Sequence, residues 1–221
     1  MEKLLQKIIW IIVAAPAIYL SIAWNSIPET VPIHFKLNGD VDRYANKNEL
    51  ILMTCILTAL SIVVYLLLPQ VYRFDPKRHA AENKARLSRI AFCISVFIAA
   101  VSCLVIYSSI QGNIAFGTRL IMAGAGLLIA IAGNYMYTIK PNYYAGIRLP
   151  WTLNNDENWR RTHLLAGKLF FASGLIVAVI SLFTSLTVSI VILSAIMLVT
   201  ATIIGVYSYR LYKRLGQSVK S

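Results

Sequence analysis

Lys140-Pro141-Asn142-Tyr143-Tyr144-Ala145-Gly146-Ile147-Arg148-Leu149-Pro150-Trp151-Thr152-Leu153-Asn154-Asn155-Asp156-Glu157-Asn158-Trp159-Arg160-Arg161-Thr162-His163-Leu164-Leu165-Ala166-Gly167-Lys168 is the only long polar passage in the second half of this 221-residue chain. The apolar runs on either side of it are too long to be anything but membrane spans. Connectors between spans are usually short and compositionally plain. A loop rich in Trp, Tyr, Arg and Asn therefore points to a folded, recognising surface.

Composition agrees with the membrane class: 58% of residues are hydrophobic and 14% charged. The net charge of +12 could suggest nucleic acid, but the basic residues sit in short clusters flanking the apolar runs. That is the pattern of membrane orientation and excludes direct nucleic-acid binding as the expectation. Cys55, Cys93 and Cys103 lie inside apolar runs with no metal-type spacing, and read as small buried side chains. Neither a cofactor nor a metal is expected.

Six runs can each cross about 30 Å of hydrocarbon at about 1.5 Å per residue. They are Leu4–Trp24, Leu50–Tyr72, Ile90–Ile110, Leu120–Tyr137, Leu169–Ser185 and Leu186–Tyr209. Only Ser and Thr mark the turn near Thr184–Thr187. Lys3 and Lys7 ahead of the apolar stretch Ile8–Trp24 resemble a signal peptide, but the length of that stretch and the spans that follow predict an uncleaved helix. Pro16 falls inside that helix and is expected to kink it. The fourth run, with Gly124, Gly126 and Gly133 among alanines, is expected to be the central packing helix.

Orientation follows from the basic residues. The N-terminus carries two, Arg73–Arg89 six, Lys140–Lys168 five and Arg210–Lys220 four, so 17 of the 21 fall on one side. Both termini and the polar loop are therefore expected in the cytoplasm. The fold class is an all-α integral membrane protein of six spans. Residues 1–72 form the first two spans with an outer loop, and residues 73–221 form a four-span unit with a cytoplasmic loop at 138–168.

The outer loop, Asn25 to Glu49, is the second informative stretch. Pro28 and Pro32 hold their predecessors extended. Val31, Ile33 and Phe35 would share one side of a short strand, and Asn38-Gly39 reads as a tight turn. On the inner side, Asp75-Pro76 reads as a helix start, from which one helix would continue through the third span. In the polar loop Asn154 is expected to cap a helix, with Glu157 reaching back. On that helix Trp159, Thr162, His163 and Ala166 share a face, while Arg160 and Arg161 point towards lipid phosphates or a partner.

No Asp, Glu, Lys, Arg or His lies within the body of any span, which weighs against a pump or an ion-coupled transporter. Catalysis would have to use His34 with Asp40 and Asp42, or His163 with Asp156 and Glu157. Neither set has the spacing of a metalloprotease or nucleotide-binding motif. The aromatic residues serve either as an interfacial belt or as anchors of a binding surface.

Asn142-Tyr143, Gly146-Ile147-Arg148, Pro150-Trp151-Thr152-Leu153, Asn158-Trp159-Arg160 and Thr162-His163 together resemble the signature loop of the SdpI family, bacterial membrane proteins named for immunity to a secreted peptide toxin. The outer-loop pattern of Ile27-Pro28, Val31-Pro32, His34-Phe35, Gly39, Asp42 and Lys47 resembles that family's first conserved block. Leu164 departs from it, since relatives are expected to carry a basic residue there. The resemblance implies a non-enzymatic immunity protein of the bacterial plasma membrane. It would protect the producing cell from a secreted, membrane-active peptide toxin and could signal by holding a helix-turn-helix autorepressor at the membrane. His34, Phe35, Gly39, Asp42 and Lys47 would then face the toxin, and Arg148 and Trp159 would anchor an intracellular partner. An integral-membrane enzyme acting on a lipid or envelope substrate, or a non-catalytic partner subunit, is the alternative.

Overall fold

The computed structural model describes residues 2–36, 41–77 and 80–218. Six helices are long and apolar enough to cross a membrane: α1 (Glu2–Ala23), α2 (Glu49–Leu67), α3 (Lys84–Gln111), α4 (Ala115–Met136), α6 (Asp156–Phe183) and α7 (Leu186–Ser218). Between them lie a hairpin of β1 (Thr30–Phe35) and β2 (Val41–Asn46), one short helix, α5 (Pro150–Leu153), and short 3-10 segments. The expected break between the last two spans lies at Thr184-Ser185. Helix α1 runs through Pro16 without ending. The chain is a multi-pass membrane protein.

Helix length separates span from extension. At 28 residues, α6 is about 42 Å long against about 30 Å of hydrocarbon. Roughly two turns must therefore project, and the polar end is Asp156–His163. The second half of the polar loop, from Asp156, and the fifth span are thus one continuous helix.

In lipid, helices associate by close packing rather than by a hydrophobic drive. The most extensive helix contact is between α4 and α6, and small residues on both sides permit it. A Cβ added to Gly126 would lie 2.5 Å from the backbone N of Ala178, and one on Gly133 would lie 2.5 Å from that of Phe171. The expectation that α4 is the packing helix holds. Helix α3 packs against α1, α2 and α4. Its tie to α2 is polar: Ser61 Oγ donates to Ser95 O at 3.2 Å, and Ser95 Oγ donates to Ser61 O at 2.9 Å.

At one end of the bundle the hairpin pairs antiparallel, Thr30 opposite Asn46 and Phe35 opposite Val41, with its register disturbed between Pro32 and Phe35. Val31 is fully buried and joins Leu20, Ala23, Ile27, Leu50 and Ile106 in one apolar cluster. The strand predicted from Val31, Ile33 and Phe35 is present, and it seats the loop on the ends of α1, α2 and α3. The predicted turn at Asn38-Gly39 lies outside the described residues.

At the other end, the helix expected from Asp75-Pro76 does not form there. Leu68–Phe74 is a 3-10 helix, Asp75 is extended, and α3 begins only at Lys84 after a second 3-10 turn at Ala80–Asn83. The Asp75 carboxylate ties this segment to the polar loop. One oxygen accepts from Lys77 N at 2.9 Å, the local bond of a cap, and the other from Tyr143 N at 2.7 Å, in the polar loop.

Candidate functional site

The polar loop is built around His163, which is fully buried. Its Nδ1 sits 2.8 Å from Trp159 O, and its Nε2 accepts from Ile147 N–H at 3.0 Å. An acceptor at Nε2 leaves the proton on Nδ1, donated to the carbonyl, so the ring is the neutral tautomer with both nitrogens committed. The Trp159 ring stacks on it at 3.9 Å between centroids, and the indole N–H donates to Ile139 O at 2.8 Å. Gly146 permits the approach. Its φ is +102°, and a Cβ there would collide with His163 Nε2. Only glycine readily supplies that backbone and that space.

Asn142 organises the turn before this lock. Its Oδ1 accepts from Tyr144 N at 2.8 Å and Ala145 N at 2.6 Å, while its Nδ2 donates to Lys140 O and Ala145 O. Thr152, also buried, donates from Oγ1 to Ile147 O at 2.7 Å and accepts from Leu149 N at 3.0 Å. Pro150 opens α5 at the first helical position, where its missing N–H costs nothing.

Three further ties bind the loop to its neighbours. Asn83 pairs with the Lys140 backbone through both amide atoms, at 2.9 and 3.1 Å. Lys77 Nζ donates to Leu153 O at 2.7 Å. Ser208, on α7, receives the Trp151 indole N–H at its hydroxyl (2.5 Å) and the Asn158 amide at its carbonyl (3.0 Å). Asn158 in turn accepts from Thr162 Oγ1 at 3.0 Å. The loop therefore joins the segment before α3, the start of α6 and the end of α7 into one polar plate. Asn83, Lys77, Thr152 and Ser208 were not apparent from sequence, because each acts through a partner far along the chain or through backbone atoms.

The cap of α6 is Asn155, whose side chain accepts from Asn158 N at 2.8 Å, and not Asn154 as expected. Glu157 does not reach back. It accepts from Arg160 Nε at 2.9 Å and from Arg161 Nε at 2.5 Å on the exposed side of the helix. Trp159, Thr162, His163 and Ala166 share one face of α6, and that face is buried. That burial corrects the expectation of Trp159 as a partner anchor: it is 2% exposed and its one donor is spent inside. The exposed residues of the loop include Tyr143, Tyr144, Arg148, Arg160 and Arg161, with Arg148 donating to Tyr143 O at 2.8 Å.

On the opposite end, the hairpin brings His34 Nδ1 to 2.6 Å from Asp42 Oδ1, both on the surface. Phe35 is half-buried beside them. Lys47 is held by Glu29 at 2.8 Å and lies 5.0 Å over the Trp24 ring. Lys47 is thus fixed at the hairpin's base, whereas His34 and Asp42 pair with each other on the exposed side of the strands. Gly39 and Asp40 lie outside the described residues. Among the described residues no group of three or more His, Cys, Asp and Glu is placed to hold a metal.

Two families match the two ends of this architecture. Residues 11–59, from α1 through the hairpin into α2, match a domain of unknown function, DUF1648. Residues 138–208, from the polar loop to Ser208, match the SdpI/YfhL protein family. The chain is similar along nearly its whole length to Immunity protein SdpI of Bacillus subtilis (strain 168), 27% identical over 216 residues covering 96% of this chain and 99% of that relative. No solved structure matches it. The match at 138–208 spans the His163–Gly146 lock, the Ser208 ties and the glycine face of α6, so that with the full-length likeness the chain is similar to the SdpI/YfhL family in the parts that build the polar loop.

Proposed function

We propose that the chain is a non-catalytic immunity protein of the bacterial plasma membrane that protects its cell from a secreted, membrane-active peptide toxin. The observation that carries this is the end-to-end likeness to Immunity protein SdpI, which includes the hairpin as well as the polar loop. The arrangement of the two ends supports it. Every polar group of the His163 lock is satisfied internally, which suits a scaffold. The hairpin presents an unburied His34–Asp42 pair beside Phe35, which suits recognition of a peptide. Expression in cells sensitive to the toxin tests the proposal. Survival in medium conditioned by the toxin-producing strain should rise well above that of the empty vector. Equal survival at full membrane abundance would refute it.

The orientation proposed with it places the hairpin outside and the polar loop in the cytoplasm. Its support is the 17-to-4 division of basic residues and the structural grouping of their clusters. Arg73, Lys77, Lys140, Arg148 and Arg210 all belong to segments that meet at the polar-loop end. A cysteine introduced at Asn155 should be shielded from an impermeant thiol reagent in intact cells and labelled after lysis. Labelling in intact cells would reverse the topology.

A further inference from the structure

Beside the polar plate, the end of α7 and the short α5 enclose a groove of about 500 Å³. Its floor is Leu149, the Trp151 ring, Gly205 and Val206, and its rim carries Arg210 and Lys213. The volume lies within the roughly 300–1,000 Å³ of ligand sites. We propose that this groove is a binding site for an anionic phospholipid, the glycerol and upper acyl chain lying on the apolar floor and the phosphate at Arg210 and Lys213.

Three observations support this occupant. First, the wall is rigid. The Trp151 indole is tied to Ser208 Oγ and packs edge-on against Tyr209 at 5.4 Å and stacked on Tyr212 at 6.2 Å. Second, the floor is open because Gly205 has no side chain, and a Cβ there would meet nothing within 4 Å. Third, the charge is uncompensated. No acidic residue lines the groove, and α7 contains none. Lys213 Nζ sits 4.9 Å over the Tyr209 ring, and neither it nor Arg210 makes an ion pair with a described residue. A soluble anion would have no use for the apolar floor, and a neutral lipid would leave two cations unanswered. The groove also lies where the bilayer interface must fall, since α7 at 33 residues exceeds the hydrocarbon thickness by several turns.

The test uses the full chain purified in detergent and incubated with phosphatidylglycerol or phosphatidylcholine of equal chain length, with retained lipid counted by native mass spectrometry. A basic residue near anionic headgroups is worth about 1 kcal/mol, or about five-fold in affinity. The two should give phosphatidylglycerol a preference of roughly 25-fold. Arg210→Gln with Lys213→Gln should abolish that preference, and Arg210→Lys should keep it. Gly205→Leu, which fills the floor and leaves both cations, should weaken retention of phosphatidylglycerol. Glycerol phosphate without acyl chains should not displace it. Equal retention of the two lipids by the wild type, an undiminished preference in the double variant, or displacement by glycerol phosphate would each overturn the proposal.

Discussion

Replacing Gly146 with alanine should destabilise the protein by about 3 kcal/mol or more, out of proportion to one methyl group. Two costs add at this position. The backbone at φ +102° is strained for any residue with a Cβ, by roughly 1–3 kcal/mol. The new carbon would also meet His163 Nε2, at the point where Ile147 N–H makes its bond to the ring. Relief requires the loop to lift, which leaves the Ile147 N–H and the buried imidazole unpaired, a further loss of about 1–3 kcal/mol. Thermal unfolding of the purified protein reads the effect. Gly216→Ala, where a Cβ meets nothing within 4 Å, should leave the midpoint unchanged. A Gly146→Ala midpoint equal to wild type would mean that the lock does not stabilise the bundle.

Gly174→Val should be still more damaging. Helix α6 crosses α4 with backbone against backbone. A Cβ on Gly174 would collide with Ala130 N and stand 2.5 Å from Gly126 O. Overpacking a core usually costs about 1–3 kcal/mol, and more where the obstruction is backbone that cannot rotate away. Because this is the most extensive helix contact, separation of α4 from α6 would loosen the four long helices α3, α4, α6 and α7. The expected outcome is loss of the protein from the membrane fraction. Wild-type abundance with wild-type thermal stability would show that the close approach is dispensable.

Much of this architecture was legible in the sequence, for physical reasons. A bilayer core of fixed thickness demands long apolar runs, so the six spans and the break at Thr184-Ser185 could be read from length alone. The Val31, Ile33, Phe35 alternation announced β1, and the three- and four-residue spacing of Trp159, Thr162, His163 and Ala166 announced that they share one face of α6. What was not legible depended on partners distant in sequence. Asp75-Pro76 has the local signature of a helix start, yet the Asp75 carboxylate is drawn to Tyr143 N as well as to Lys77 N. Asn83 looks like any loop asparagine until it is set against the Lys140 backbone.

Trp159 shows why residue type alone misleads. A Trp among Arg and Asn has the composition of an interface anchor. The same composition serves a buried polar plate, where the indole N–H must find an acceptor, here Ile139 O. The exposed residues of the loop instead include Tyr143, Tyr144, Arg148, Arg160 and Arg161.

The proposed function divides the labour: the polar loop would hold the bundle together, and the hairpin would meet the toxin. The most direct measurement scores survival under toxin and membrane abundance in the same cells for His34→Ala, Phe35→Ala and Asp42→Ala. None of the three belongs to the apolar cluster that seats the hairpin, so abundance should stay at the wild-type level. Survival should fall by about tenfold or more, the effect of losing about 1.4 kcal/mol of contact with the peptide. Full protection by all three variants at wild-type abundance would contradict the assignment of the hairpin as the toxin-facing surface.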